Sequence, residues 1–195
     1  MKKPLLIVVT GCPGSGKTTL AHTLARKIGC PAMCRDEIKE GFVNTMKSSH
    51  EALEKDVNKG IYSTFFEILE FLLSKQITLI AEAAFQHHLW TPPLEKLSQI
   101  SQIKIIVCTV DPHLARSRFI QRGLSDPNRI RFHGDWGVRA AQKGIELPLV
   151  NYEPPLLPIP TLEVDTSEGY RPSLNDIESF LLKSSELSTC DSSAE

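Results

Sequence analysis

The sequence predicts an α/β fold: a parallel sheet covered by helices on both faces. Three observations carry this expectation. Short apolar runs rich in β-branched residues alternate with longer stretches of helical spacing. A glycine-rich turn joins the first apolar run to the first helical stretch. The 195 residues, 41% hydrophobic and 23% charged, suffice for one sizeable core. No repeat or internal boundary interrupts the pattern, so one domain is expected over residues 1–183, with the polar, low-complexity stretch 184–195 as a frayed tail.

The first strand, Leu5 to Thr10, follows Lys2 and Lys3 but runs straight into Gly11-Cys12-Pro13-Gly14 with no small-residue cleavage site, so it reads as a buried strand rather than a leader. Helical spacing then covers Lys17 to Ile28. Ala32 to Cys34, Ile77 to Ala81, Ile103 to Val110 and Thr161 to Val164 supply four more strands. Further helices are predicted over Glu51 to Ser74, Leu89 to Ser101, Pro112 to Arg122 and Ser173 to Lys183. In the longest of them Ile61, Phe65, Ile68, Leu69, Leu72 and Leu73 form one apolar stripe, as packing on a sheet requires. Pro148, Pro154, Pro155, Pro158 and Pro160 exclude a helix or central strand from Leu147 to Pro160, leaving an extended surface crossing.

Charge is balanced in total but not along the chain. Residues 1–143 carry 20 Lys and Arg against 13 Asp and Glu, whereas residues 146–195 carry 2 against 10. The basic portion can attract an anion. No apolar run approaches the roughly 18 residues that span a bilayer. The five cysteines (Cys12, Cys30, Cys34, Cys108, Cys190) are scattered, with no C-x-x-C pair, so neither a disulfide framework nor a zinc site is suggested and a reducing cytoplasm is expected.

Gly11-Cys12-Pro13-Gly14-Ser15-Gly16-Lys17-Thr18 matches G-x-x-x-x-G-K-[ST] between a strand and a helix-forming run beginning at Thr19. Glycines let backbone N–H groups turn inward around an anion, and the helix N-terminus adds its positive dipole. Lys17 neutralises β- and γ-phosphates, and Thr18 offers a hydroxyl to Mg²⁺. Gly11 through Thr19 therefore form the candidate ATP-binding loop. A GTPase switch is excluded by the absence of N-K-x-D and D-x-x-G: Asn58-Lys59-Gly60-Ile61 fails at its fourth position. A small phosphoryl-transfer enzyme fits the length.

Carboxylates at strand ends supply the rest of the chemistry, because open α/β sheets bind ligands beyond the carboxyl ends of their strands. Asp36, in Arg35-Asp36-Glu37-Ile38-Lys39, is the candidate base for a substrate hydroxyl, with Glu37 second; an N-cap is the competing role for Asp36. Arg35 and Lys39 are candidate substrate contacts. Glu82, closing the run Thr78 to Glu82, is the candidate partner of Thr18 at Mg²⁺, against a solvated strand end. Asp111 precedes Pro112 and reads as an N-cap with proline at N1. Phe42, Phe85, His87, His88, Trp90 and Trp136 are candidates to shape the acceptor pocket. Arg116, Arg118, Arg122, Arg129 and Arg131, interrupted by Gly123, Pro127 and Asn128, predict a mobile lid over residues 112–145, with Arg118 toward the nucleotide and Arg122 and Arg129 as catalytic guanidiniums.

Together, the phosphate loop, Arg35-Asp36-Glu37-Ile38, Ile80-Ala81-Glu82-Ala83-Ala84-Phe85, the arginine-rich stretch Asp111 to Asp135 and Val164-Asp165-Thr166-Ser167-Glu168-Gly169-Tyr170 resemble the small P-loop kinases filed among AAA-family ATPases. These are similar to polynucleotide 5′-hydroxyl kinases, chloramphenicol phosphotransferase and zeta-toxin-type kinases. The resemblance implies a P-loop NTPase three-layer α/β/α sandwich with a five-stranded parallel sheet in the order 2-3-1-4-5. It also implies ATP and Mg²⁺ as cofactors, Asp36 as base, a lid arginine at Arg122, and adenine contacts around Asp165, Thr166 and Gly169. Where polynucleotide kinases carry an arginine, this chain has Lys39, a point charge without the planar fork. Basic residues are not interleaved with a stacking platform either. A small-molecule acceptor is therefore favoured over the alternatives, a 5′-hydroxyl polynucleotide kinase or a non-catalytic ATP-binding regulatory module. The sequence is silent on oligomeric state.

Overall fold

The computed structural model describes residues 3–47, 49, 55–126, 128–134, 136–145, 149 and 151–183. The expected tail and the first turn of the helix expected from Glu51 lie outside the described residues. Five strands, β1 (Leu5–Gly11), β2 (Ala32–Cys34), β3 (Leu79–Glu82), β4 (Gln102–Thr109) and β5 (Thr161–Asp165), form one sheet in the order β2-β3-β1-β4-β5. All four pairings are parallel. This is the order the resemblance implied, and the fold is P-loop NTPase-like.

Period-two alternation explains why both faces are covered. Leu6 and Val8 of β1 point into a core with Phe65, Leu69 and Leu73 of α3 (Lys55–Ser74) and Trp90, Leu94 and Leu97 of α4 (His87–Leu97). Ile7 and Val9 face the opposite core, built from Leu20, Ala21 and Leu24 of α1 (Lys17–Ile28) and Ile177 and Leu181 of α8 (Leu174–Leu182). A capping box between Ser173 and Asp176 starts α8.

Register decides where the site falls. Cys34 pairs with Glu82, and Glu82 with Val9, so β2, β3 and β1 end side by side where β1 runs into the phosphate loop.

Several expected boundaries shift for physical reasons. Ile77 and Thr78 fall in the connection between α3 and β3 rather than in β3: Gln76 takes a left-handed φ of 63°, and Gln76 and Ile77 donate back to the carbonyls of Leu73 and Leu72, a Schellman closure of α3. The helix expected from Leu89 starts at His87 and tolerates Pro92 and Pro93 inside it. The carbonyl that Pro93 cannot bond, that of Leu89, accepts the Tyr62 hydroxyl at 2.8 Å instead.

A helix not assigned a range from sequence, α2 (Arg35–Thr45), follows β2 directly. Beyond β4 the basic stretch forms three helices, α5 (Pro112–Ser125), α6 (Asn128–His133) and α7 (Trp136–Gln142). The expected surface crossing is only partly superficial. Tyr152, Leu157 and Ile159 pack on the core of the α3–α4 face, and Leu156 N–H donates to His87 Nδ1 at 3.0 Å.

Candidate active site

The loop between β1 and α1 is held open from inside and braced from outside. Gly14 and Gly16 take left-handed φ values of 86° and 74°, and Gly16 caps α1 with no side-chain hydrogen bond. A Cβ on Gly14 would collide with the Ala115 carbonyl of α5, so only glycine allows this approach. Ser15 Oγ is buried with no hydrogen-bond partner. An inward-turned loop with an orphaned hydroxyl and an uncapped helix N-terminus fits a polyphosphate. From the β5 side, Thr166 Oγ1 lies 2.8 Å from the Ser15 carbonyl and 3.1 Å from that of Thr109.

Lys17 and Glu82 meet at the floor. Lys17, 8% exposed, donates from Nζ to the Cys12 carbonyl at 3.4 Å and lies 3.8 Å from Glu82 Oε1, while Thr18 Oγ1 donates to Glu82 Oε2 at 3.0 Å. Glu82 is not a solvated strand end: it is 3% exposed. Burial pushes its carboxyl above the usual range, reinforced by the Asp36 charge and opposed by Lys17 and by hydrogen bonds from Thr18 and Cys34. The Thr18 hydroxyl beside a carboxylate is a hard-oxygen donor pair, the chemistry Mg²⁺ prefers.

Asp36 does not cap α2. The N-cap is Cys34, and Asp36 sits in the first turn, where the helix dipole favours its charge. Its side chain is 58% exposed, and Arg35 Nη1 donates to its Oδ1 at 3.1 Å. Desolvation by its neighbours pushes the carboxyl up; the charges of His133, Arg35 and Lys17 outweigh that and hold it below its ordinary value. Arg35 Nη2 also donates to Asn58 Oδ1 at 3.3 Å, tying α2 to α3. Lys39, one turn on, is 4% exposed.

The stretch expected to form a lid contacts α2: His133 of α6 and Glu40 of α2 meet at 2.8 Å between Nε2 and Oε1. Arg129 stacks its guanidinium 5.8 Å from the Phe119 ring centre, and Arg122 is exposed in the last turn of α5. Arg118 is fixed differently, donating to the carbonyls of Thr166 and Ser167 at 3.0 and 2.6 Å. With Leu114, Ser167, Glu168 and Arg171 it lines a cavity of about 340 Å³. Asp165 Oδ1 accepts Ser167 N–H at 2.8 Å and so shapes that loop. Asp111 caps α5 as expected, accepting from His113 and Leu114 N–H, both at 3.0 Å.

Other candidates fall elsewhere. Phe85 packs among Tyr62, Phe65, Phe66 and Trp90, and Trp90 is wholly buried in the core rather than lining a cleft. His87 holds the proline-rich crossing through the Leu156 N–H. Thr19 is exposed on the first turn of α1. The side chain of Trp136 lies outside the described residues.

Thr10 was missed entirely. Its buried hydroxyl donates to the Ala83 carbonyl at 2.8 Å and accepts Trp90 Nε1–H at 3.1 Å. With its one proton spent, it must also accept from the Tyr152 hydroxyl. Those partners lie 73 to 142 residues away, so no local signal could have revealed them.

A larger apolar cavity, about 710 Å³, adjoins the back of the loop at Cys12 and Pro13 and is walled by Val107, Phe119, Ile120 and Tyr152. Lys17, Asp36 and Glu82 do not line it.

Residues 6–137 match the family described as AAA domain. The chain belongs to that family. No curated protein matches this AAA-domain chain in sequence. Among solved structures it is similar to a protein of Chloroflexus aurantiacus assigned as a kinase, at 24% identity and a TM-score of 0.65 over 86% of this chain and 90% of that one. The Mycobacterium tuberculosis APS kinase CysC in complex with AMPPNP and APS gives 12% identity and a TM-score of 0.64 over 94% and 100%. A Sinorhizobium meliloti gluconokinase gives 16% and 0.55 over 93% of each chain. At these identities the likeness is one of fold, a kinase-like P-loop fold.

Proposed function

We propose that this chain is a kinase that transfers the γ-phosphoryl group of ATP to a hydroxyl of a small molecule. The observation that carries the reading is a carboxylate, Asp36, kept ionised at the mouth of the site within electrostatic reach of the phosphate-loop lysine. Phosphoryl transfer passes through a loose transition state, so orientation and charge matter more than a strong base. Asp36 accepts a hydrogen bond from the acceptor hydroxyl, orients its lone pair toward the phosphorus, and receives its proton as the bond forms.

Lys17 and the loop amides hold the triphosphate, and Arg118 with Thr166 and Ser167 frames the base. Thr18 and Glu82 would hold Mg²⁺, which when bound neutralises charge on the phosphate oxygens. Arg122 and Arg129 are the lid guanidiniums assigned to the transferring group. Arg35 and Lys39 flank the acceptor; Phe85 and His87, placed in the aromatic cluster and on the crossing, support the pocket wall from behind.

The AMPPNP-bound APS kinase supports ATP as donor. The buried Lys39 and the aromatic residues gathered in the core favour a small acceptor over a nucleic-acid end. A single domain over 1–183, slow background hydrolysis when water takes the acceptor place, and a cytoplasmic location complete the reading. Among the described residues no helix is long and apolar enough to cross a membrane.

The test is incubation with γ-labelled ATP and a panel of sugars, nucleosides, antibiotics and oligonucleotides. Label is expected in a small hydroxylated compound, reduced about 100-fold or more in Asp36→Asn and in Lys17→Ala. Labelling of oligonucleotides alone would establish the polynucleotide alternative. Tight ATP binding without transfer to any acceptor would overturn the enzymatic reading.

A further inference from the structure

Beside the phosphate site, a second group of donors converges where α1 meets α2. His22 Nε2 lies 2.6 Å from Glu37 Oε1 and 3.6 Å from Cys34 Sγ, and the three ligand atoms lie within 4.8 Å of one another. Cys34 is 2% exposed, whereas the side chains of His22 and Glu37 are 38% and 49% exposed, so the cluster has a buried thiol and an open mouth. Only the fold assembles it. His22 is on α1, Cys34 closes β2, and Glu37 is in the first turn of α2.

We propose that His22, Cys34 and Glu37 bind one Zn²⁺, with water in the fourth position. The donor set argues for the metal: sulfur excludes Mg²⁺ and Ca²⁺, while a thiolate, an imidazole and a carboxylate suit zinc. The spacing agrees. Zinc bonds of about 2.3 Å to sulfur and 2.0–2.1 Å to nitrogen, at a tetrahedral angle, separate those two donors by about 3.6 Å. The His22–Glu37 contact is a hydrogen bond and must open to about 3.4 Å for two zinc ligands, a movement available to a half-exposed glutamate.

Binding displaces the Cys34 thiol proton to solvent, while the imidazole ligates through Nε2. The imidazole carries its single proton on Nδ1 when Nε2 binds the metal. The Cys34 thiol also bonds Glu82, so the zinc would sit directly behind the carboxylate paired with Thr18 and would fasten the turn carrying Asp36 to α1. The site stands whether or not the chain transfers phosphate.

The full chain, stripped with a chelator and free of nucleotide, is titrated with Co²⁺. Expected is a thiolate-to-cobalt charge-transfer band with tetrahedral visible bands, saturating at one ion per chain and bleached by Zn²⁺. Cys34→Ser should abolish the band and Cys30→Ser should leave it. His22→Gln and Glu37→Gln should each weaken binding about tenfold or more. Absence of the band in the folded protein, its survival in Cys34→Ser, or unchanged affinity in His22→Gln would each overturn the site. Should Cys34→Ser fail to fold, the half-exposed His22→Gln decides.

Discussion

Asp36 is an aspartate with two opposing influences, and their outcome fixes its chemistry. Desolvation would make it a better base, but His133, Arg35 and Lys17 hold its pKa below the ordinary carboxylate value of about 3.9. If the chain transfers phosphate as proposed, the pH–rate profile should show no acid limb from this group above about pH 4. The same shift works on folding. A carboxyl with a lowered native pKa contributes stability above the unfolded value, lost as pH falls through the native one, so Asp36→Asn should lose stability above about pH 4 and converge with the parent in strong acid. Thermal unfolding of the two proteins from pH 2 to 7 measures this. Thr10 makes a different demand. Thr10→Val keeps the shape but strands the Trp90 N–H and the Tyr152 hydroxyl, each costing about 1–3 kcal/mol; a loss of about 2–6 kcal/mol in urea denaturation is expected.

Elements here are shaped at their ends as much as by their periodicity. The end of α3 places Gln76, rather than glycine, at a left-handed φ of 63°. Left-handed backbone costs an L-residue about 1–2 kcal/mol, whereas glycine enters it freely. Gln76→Gly should accordingly stabilise the fold by about 1 kcal/mol, raising the urea midpoint without changing the slope. At α4 the compensation is already present, since Tyr62 serves the carbonyl released by Pro93. The basic stretch after β4 follows the same rule: α6 is held to α2 by His133 and Glu40, although nothing in the local sequence pairs them.

At the scale of the molecule, what could be read from sequence was what is contiguous. The phosphate loop is a run of adjacent residues whose conformation follows from glycine and the strand before it, and the five strands follow from short apolar runs rich in β-branched residues. The position of Asp36 just beyond the end of β2 was legible, because strand ends in such sheets face a common crevice. Illegible were contacts assembled by register and crossover: Cys34 beside Glu82, Thr166 beneath Ser15, and Trp90, a candidate to shape the acceptor pocket, turned into the core. Proposed binding of nucleotide to the whole fold can be weighed by linkage. An ATP analogue at 100 times its dissociation constant should stabilise the chain by about 2.7 kcal/mol. Gly14→Ala, which drives the loop against Ala115, should abolish that gain in a thermal-shift measurement.

On the proposed reading, Thr166 joins two places that a nucleotide would touch at once. Its neighbour Ser167 and Arg118 border the cavity proposed for the base, while its own hydroxyl lies on the Ser15 carbonyl of the loop proposed to hold the phosphates. A purine that seats badly therefore tilts the cradle of its own phosphates, and preference between adenine and guanine should register in turnover as well as in affinity. Comparing kcat for ATP and GTP in the parent and in Thr166→Val would reveal that mechanical link as a loss of selectivity in rate.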